Sequence, residues 1–172
     1  MIKNYIYKTF VLSIMILTLS SCNKDEDILF DTPFISLEAL NSASAGPVNS
    51  DQEFTAEYKI YLNSGAIDRN VEVEYEIIVG DGLVAGRDYE LITKSNTLIF
   101  FPGIYDMPIR IKWLRTCVRD EDTGVIISDS LDENKDTSIT IKLISNTENL
   151  PLGYPGPDQL KKEIKIKKTK AK

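Results

Sequence analysis

Apolar and polar residues alternate with a period of two along much of the chain. Phe54, Ala56, Tyr58, Ile60 and Leu62 alternate with Thr55, Glu57, Lys59 and Tyr61. Val71, Val73, Tyr75, Ile77 and Val79 alternate with Glu72, Glu74 and Glu76. Ile109, Ile111 and Trp113 against Arg110 and Lys112, and Ile139, Ile141 and Leu143 against Thr140 and Lys142, repeat the pattern. Side chains of a strand point alternately to its two faces, so each stretch predicts a strand with one buried and one wet face. Shorter strands are predicted over 34–40, 97–101 and 125–128, and Ile164 and Ile166 between Glu163, Lys165 and Lys167 predict a final edge strand whose lysines discourage sheet-to-sheet aggregation.

Turn signals separate these stretches: Asn63-Ser64-Gly65, Gly80-Asp81-Gly82, Pro102-Gly103 and Asn146 to Asn149. No segment sustains a helical period. The expectation is an all-β fold, an antiparallel two-sheet sandwich of about 7–8 strands whose facing apolar stripes, Tyr75 and Trp113 among them, bury one core.

The first residues follow a different pattern. Lys3 and Lys8 precede an apolar run from Phe10 to Leu19, broken only by Ser13 and Thr18, and the run stops at Ser20, Ser21 and Cys22. Basic, then apolar, then small is the layout of a secretory signal, and the run falls short of the roughly 20 apolar residues a membrane span needs. Leu19-Ser20-Ser21-Cys22 resembles the bacterial lipobox, in which the cysteine is acylated and becomes the new N-terminus. The resemblance implies that residues 1–21 are a lipoprotein signal peptide and that Cys22 carries acyl chains into a lipid bilayer. Each buried methylene contributes about 0.8 kcal/mol, so two or three chains hold lastingly. Residues 22–32 then form a short acidic linker and 33–169 the sandwich domain. Within the linker, Lys24, Asp25 and Glu26 resemble the surface-export signal of Bacteroidetes lipoproteins, which places the protein on the outer membrane facing outward, with the periplasmic face as the alternative.

The run Val71 to Lys112 resembles a Calx-beta domain. The pieces that carry the likeness are Glu74-Tyr75-Glu76, Gly80-Asp81-Gly82, Gly86-Arg87-Asp88-Tyr89, Phe100-Phe101-Pro102-Gly103 and the alternating stretch Met107 to Lys112, in the family's order and spacing. Asp136 to Leu143, then Ser145-Asn146 and Leu152-Gly153, is similar to the family's closing segment, with Asp136-Thr137-Ser138 in place of its usual Glu-Thr-Phe. The resemblance implies an immunoglobulin-like sandwich. Taken with the lipobox, it places the chain among small Bacteroidetes surface lipoproteins that often accompany glycan-uptake systems.

Composition narrows the chemistry. The 172 residues include no histidine, which removes histidine triads, histidine-containing zinc sites and any imidazole base. The 20 cationic and 26 acidic residues give a net charge of −6, and loss of Lys3 and Lys8 with the signal takes it to −8. No nucleic-acid partner is expected of so acidic a body. Cys117 is left as a lone thiol, expected to be a small buried hydrophobe.

Loop carboxylates of Calx-beta domains bind calcium, and two acidic segments stand as candidates: Asp120, Glu121 and Asp122, and Asp132, Asn134 and Asp136. The second opens like an EF-hand loop, but Thr137 replaces its glycine and Leu143 stands at its twelfth position. Both are expected to be solvated acidic loops, with no cofactor required and calcium the rival. Asp129-Ser130-Leu131 resembles an O-glycosylation acceptor centred on Ser130, and Tyr61, Tyr105 and above all Tyr154 are candidates to contact a ligand. No nucleophile, phosphate loop or metal-ligand spacing points to an enzyme. The expected function is non-catalytic: an accessory outer-membrane module for binding or assembly, its partner a glycan or an outer-membrane protein complex, with calcium-dependent adhesion or sensing as the alternative.

Overall fold

The long alternating stretches form the centres of two sheets. A computed structural model describes residues 32–41 and 45–172. The signal peptide, Cys22, Lys24, Asp25 and Glu26 lie outside the described residues. Eleven strands are present among them: β1 (Phe34–Ala39), β2 (Val48–Asn49), β3 (Phe54–Asn63), β4 (Val71–Val79), β5 (Tyr89–Leu91), β6 (Thr97–Phe100), β7 (Asp106–Trp113), β8 (Cys117–Arg119), β9 (Ile126–Asp129), β10 (Ser138–Asn146) and β11 (Glu163–Thr169). One sheet has the order β1-β3-β7-β5 and the other β2-β11-β10-β4-β6, while β8 and β9 form a separate hairpin. The fold is an all-β sandwich, antiparallel except where β2 runs parallel to β11.

Between the sheets lie Ile35, Leu37, Tyr58, Ile60, Val71, Val73, Phe100, Ile109, Ile111, Trp113, Ile139, Ile141 and Leu143. Each fully buried aliphatic side chain contributes about 1.5–3 kcal/mol through removal from water. Burial pushes the Tyr58 phenol up to about 12, and the neighbouring Trp113 indole offsets part of that rise. Outside the first sheet, a ladder of ion pairs crosses from β3 and the turn before it to β7: Glu53 with Lys112, Glu57 with Arg110, and Lys59 with Asp106.

More strands form than the seven or eight expected. β2, β5 and β8 have two or three residues each, too few for an alternation to show. The last strand also differs from expectation. Its C-terminal end is not an edge, because Lys168 and Thr169 pair with Val48 and Asn49 of β2. Nor are all its lysines solvated, since the inward set continues from Ile164 and Ile166 to Lys168, which is buried. The edge of β1 is closed by the chain after β10, through Ile35 N–H to the Pro151 carbonyl at 2.9 Å and Gly153 N–H to the Ile35 carbonyl at 2.7 Å.

The registers define two poles. Phe34 lies opposite Asn63, Tyr61 opposite Asp106 and Val71 opposite Phe100, so the chain enters the sandwich at this end from Thr32. At the other end Phe54 and Tyr89 both face Trp113, Val79 faces Ile139, and the β8–β9 hairpin begins.

Gly80, at that second pole, donates its N–H to the Ser138 carbonyl, and a Cβ built there would lie 2.1 Å from the Asp136 carbonyl oxygen. Because the obstacle is backbone, Gly80→Ala is expected to lower the unfolding free energy by about 1–3 kcal/mol in urea denaturation.

Candidate functional site

Most of the long-range polar contacts gather at the pole away from Thr32. Gly86, with φ of +78°, turns the loop before β5 and donates its N–H to the Tyr89 carbonyl at 2.8 Å. The turn points the Asp88 carboxylate inward, where Oδ2 accepts from Val84 N–H at 2.7 Å and from Arg87 Nε and Nη2 at 2.9 and 2.7 Å. Lys168 Nζ stands 3.7 Å from the other oxygen, both side chains being 0% exposed. The same ammonium donates to the backbone carbonyls of Leu114 at 2.7 Å and Asp88 at 3.1 Å. A buried cation thus ties β11 to the loop before β5 and to the chain leaving β7. Burial holds the Lys168 ammonium below its usual range, against the opposing pull of Asp88 and Asp129.

Beside this clasp, the buried Ser50 joins three segments. Its hydroxyl donates to Asp129 Oδ2 and accepts from Ala171 N–H at 2.9 Å, and its carbonyl takes the N–H groups of Thr116 and Cys117 at 2.8 and 3.1 Å. Asp129 Oδ1 receives Leu131 N–H at 3.0 Å. Arg119 completes the joint, pairing with Asp51 at 2.8 Å and donating to the Gly124 carbonyl at 2.9 Å. Ser50 is fully buried and Cys117 nearly so.

Two open grooves lie on this pole and meet at Asp51 and Arg115. One, of about 610 Å³, is lined by Pro47, Asn49, Gln52, Glu53 and Phe54 together with the shared pair. The other, of about 390 Å³, adds Cys117, Arg119, Asp120 and Glu121. Sequence reasoning missed both grooves and the clasp. The groove walls come from the turn between β2 and β3 and from the chain after β7, which only the folded topology brings together. The clasp had a readable signal, since Lys168 is in phase with Ile164 and Ile166.

The acidic candidates fold back on their own turns. Asp120 Oδ1 accepts from the N–H groups of Asp122 and Thr123 at 3.1 and 2.7 Å and from the Thr123 hydroxyl, which holds its carboxyl below the usual range. Asp132 accepts both N–H groups offered by Asn134 at 3.1 Å. Asp136 bonds the hydroxyl and N–H of Ser138 and faces Lys165, and these contacts lower its pKa, the Ser138 hydroxyl most of all. Glu121 and Asp122 are exposed on the β8–β9 turn. Among the described residues no three acidic or cysteine side chains come close enough to hold a metal ion. Ser130 is exposed just past β9, between half-buried Asp129 and buried Leu131.

Tyr154 lies at the other pole. Its ring meets Phe34 edge-on with centroids 5.7 Å apart, and its hydroxyl donates to Glu38, which raises its pKa. Tyr105 is exposed at the same pole, in the chain entering β7, and Tyr61 lies half-buried on β3. No protein-family model matches the chain, and no curated protein matches it.

Removing one partner of the clasp strands a charge in the interior. Asp88→Ala is therefore expected to cost about 3–5 kcal/mol of unfolding free energy in urea, against less than about 1 kcal/mol for Arg110→Ala at the surface. The pH dependence has a definite sign. The folded pKa of Lys168 lies below the unfolded value of 10.5, so between the two the unfolded chain holds the extra proton and unfolding becomes harder as pH rises. Denaturation at stepped alkaline pH is expected to show the wild type gaining stability relative to Lys168→Met as 10.5 is approached.

Proposed function

We propose that this chain is a non-catalytic, acylated lipoprotein of the bacterial outer membrane, a sandwich held at the cell surface as an accessory module for binding or assembly. The observation that carries the proposal is the placement of Leu19-Ser20-Ser21-Cys22 at the end of a short apolar run, followed by a charged segment and then by a self-contained body beginning at Thr32. Acyl chains on Cys22 supply attachment, and Lys24, Asp25 and Glu26 supply the outward address. Support comes also from where the chain enters the fold. A tether through Thr32 joins the body at the pole of Phe34, Asn63 and Asp106. The opposite pole, which holds the open grooves and the β8–β9 hairpin, is then the end farthest from the point of attachment.

The body suits recognition more than turnover. Its Ser50 hydroxyl is enclosed, its Cys117 is almost fully buried, and its surface grooves are open. The resemblance to Calx-beta lipoproteins points the same way, towards a module working beside an outer-membrane transporter of glycans.

Replacement of the lipidated thiol tests the proposal. In a cell that expresses the full chain, Cys22→Ser is expected to move the protein from the envelope pellet to the soluble fraction and to abolish incorporation of labelled palmitate. Cys22→Ser protein that still pellets with envelopes overturns the proposal.

A further inference from the structure

Five arginines lie among the described residues, and four of them are ion-paired: Arg69 with Glu148, Arg87 with Asp88, Arg110 with Glu57 and Arg119 with Asp51. Arg115 is the exception. It is exposed, makes no ion pair among the described residues, and stands where the two grooves of the far pole meet. The acids lining the larger groove are already engaged, Asp51 by Arg119 at 2.8 Å and Glu53 by Lys112 at 3.0 Å.

Acceptor atoms in that groove are engaged as well. Gln52 Oε1 takes the Asn49 N–H at 3.2 Å, and Asn49 Oδ1 takes the Thr169 hydroxyl at 3.2 Å. Both residues line the groove together with Arg115, and each amide keeps an NH2 group with which to donate. What remains unspent is hydrogen-bond donation and one positive charge, on a body whose overall charge is negative. Phe54, half-buried on the same wall, adds an apolar surface.

We propose that this groove binds an acidic saccharide, Arg115 clasping a ring carboxylate while Asn49 and Gln52 donate to neighbouring hydroxyls and Phe54 packs against ring C–H groups. A planar guanidinium matches a carboxylate through two parallel hydrogen bonds. The second groove continues past Arg115 and carries Asp120 and Glu121, acceptors for the hydroxyl protons of the next sugar unit. Two open grooves joined at one cation suit an extended chain better than a small enclosed ligand. A densely charged polyphosphate is repelled by the acidic body, whereas a uronate brings one charge per ring. The inference rests on the surface-module reading for the way a polymer reaches the groove.

The test is calorimetric titration of the full chain in detergent with short oligomers of galacturonate, glucuronate or mannuronate, each paired with its neutral methyl ester. At least one acid oligomer is expected to bind, more weakly as salt rises. Its methyl ester and the Arg115→Gln variant are each expected to lose about tenfold or more in affinity. Arg115 has no hydrogen-bond or ion-pair partner to lose among the described residues, so the melting temperature of the variant is expected to equal that of the wild type. Equal binding of acid and ester, unchanged binding by Arg115→Gln, or no binding of any oligomer overturns the proposal. Cys22→Ser protein separates the two readings: if it leaves the envelope yet binds no uronate, the saccharide site fails and the anchor stands; if it binds uronate but still pellets, the anchor fails and the site stands.

Discussion

One ammonium group, enclosed between two sheets, sets the terms for the pole that the other polar contacts build on. Lys168 reaches in from β11 and finds the Asp88 carboxylate, the Asp88 carbonyl and the Leu114 carbonyl. A charge in such a place is tolerated only when its partners are fixed, because desolvation is costly and attraction repays it only with good geometry. The partners come from the loop before β5 and from the exit of β7, so both must hold their positions for β11 to dock. Gly86 makes the first possible by turning the loop, and Trp113, fully buried at the end of β7, anchors the second. The clasp therefore joins the two sheets at the end where their edges would otherwise part, and the Ser50 joint and the grooves rest on that closed end.

The two sheets differ in how their outer faces handle charge. On the first, acid and base alternate across β3 and β7 and cancel in a ladder. On the second, glutamates gather on β4 and lysines on β11, with β10 between them. Charge is thus sorted by strand rather than mixed, and at the far pole the Arg115 guanidinium stands without an ion pair among the described residues. That arrangement favours a partner that brings acceptors and a single negative charge.

Much of the sandwich was legible because its central strands are long. Long alternation, as in β3 and β4, and the shorter run Ile139 to Leu143 in β10 fix which side chains face inward, and facing stripes imply a second sheet. β2, β5 and β8 left no such trace, being held in place by the strands they border rather than by their own pattern. At Lys168 residue type and position disagree: a lysine among lysines suggests solvent, yet the period of two puts it inside. Asp88 was visible as part of the turn sequence Gly86-Arg87-Asp88-Tyr89 but not as the carboxylate of a buried pair, since its partner lies 80 residues away. The grooves were invisible for the same reason. Asn49, Gln52 and Arg115 carry no common motif and become neighbours only when the corner before β3 meets the exit of β7. The acidic segments could be read as loops, although not that their carboxylates would be occupied by adjacent N–H groups and hydroxyls.

The parallel contact between β2 and β11 has a consequence for biosynthesis. β2 and β11 lie 120 residues apart, so β2 has no ladder partner until that much more of the chain has left the ribosome. Contacts of such long sequence separation form slowly, because loop-closure entropy is spent before they contribute. The nascent chain thus lacks both its closing strand and its buried cation while it is being made. The body therefore stays open along that edge while the intervening strands are made, and it closes only when residues 163–169 arrive.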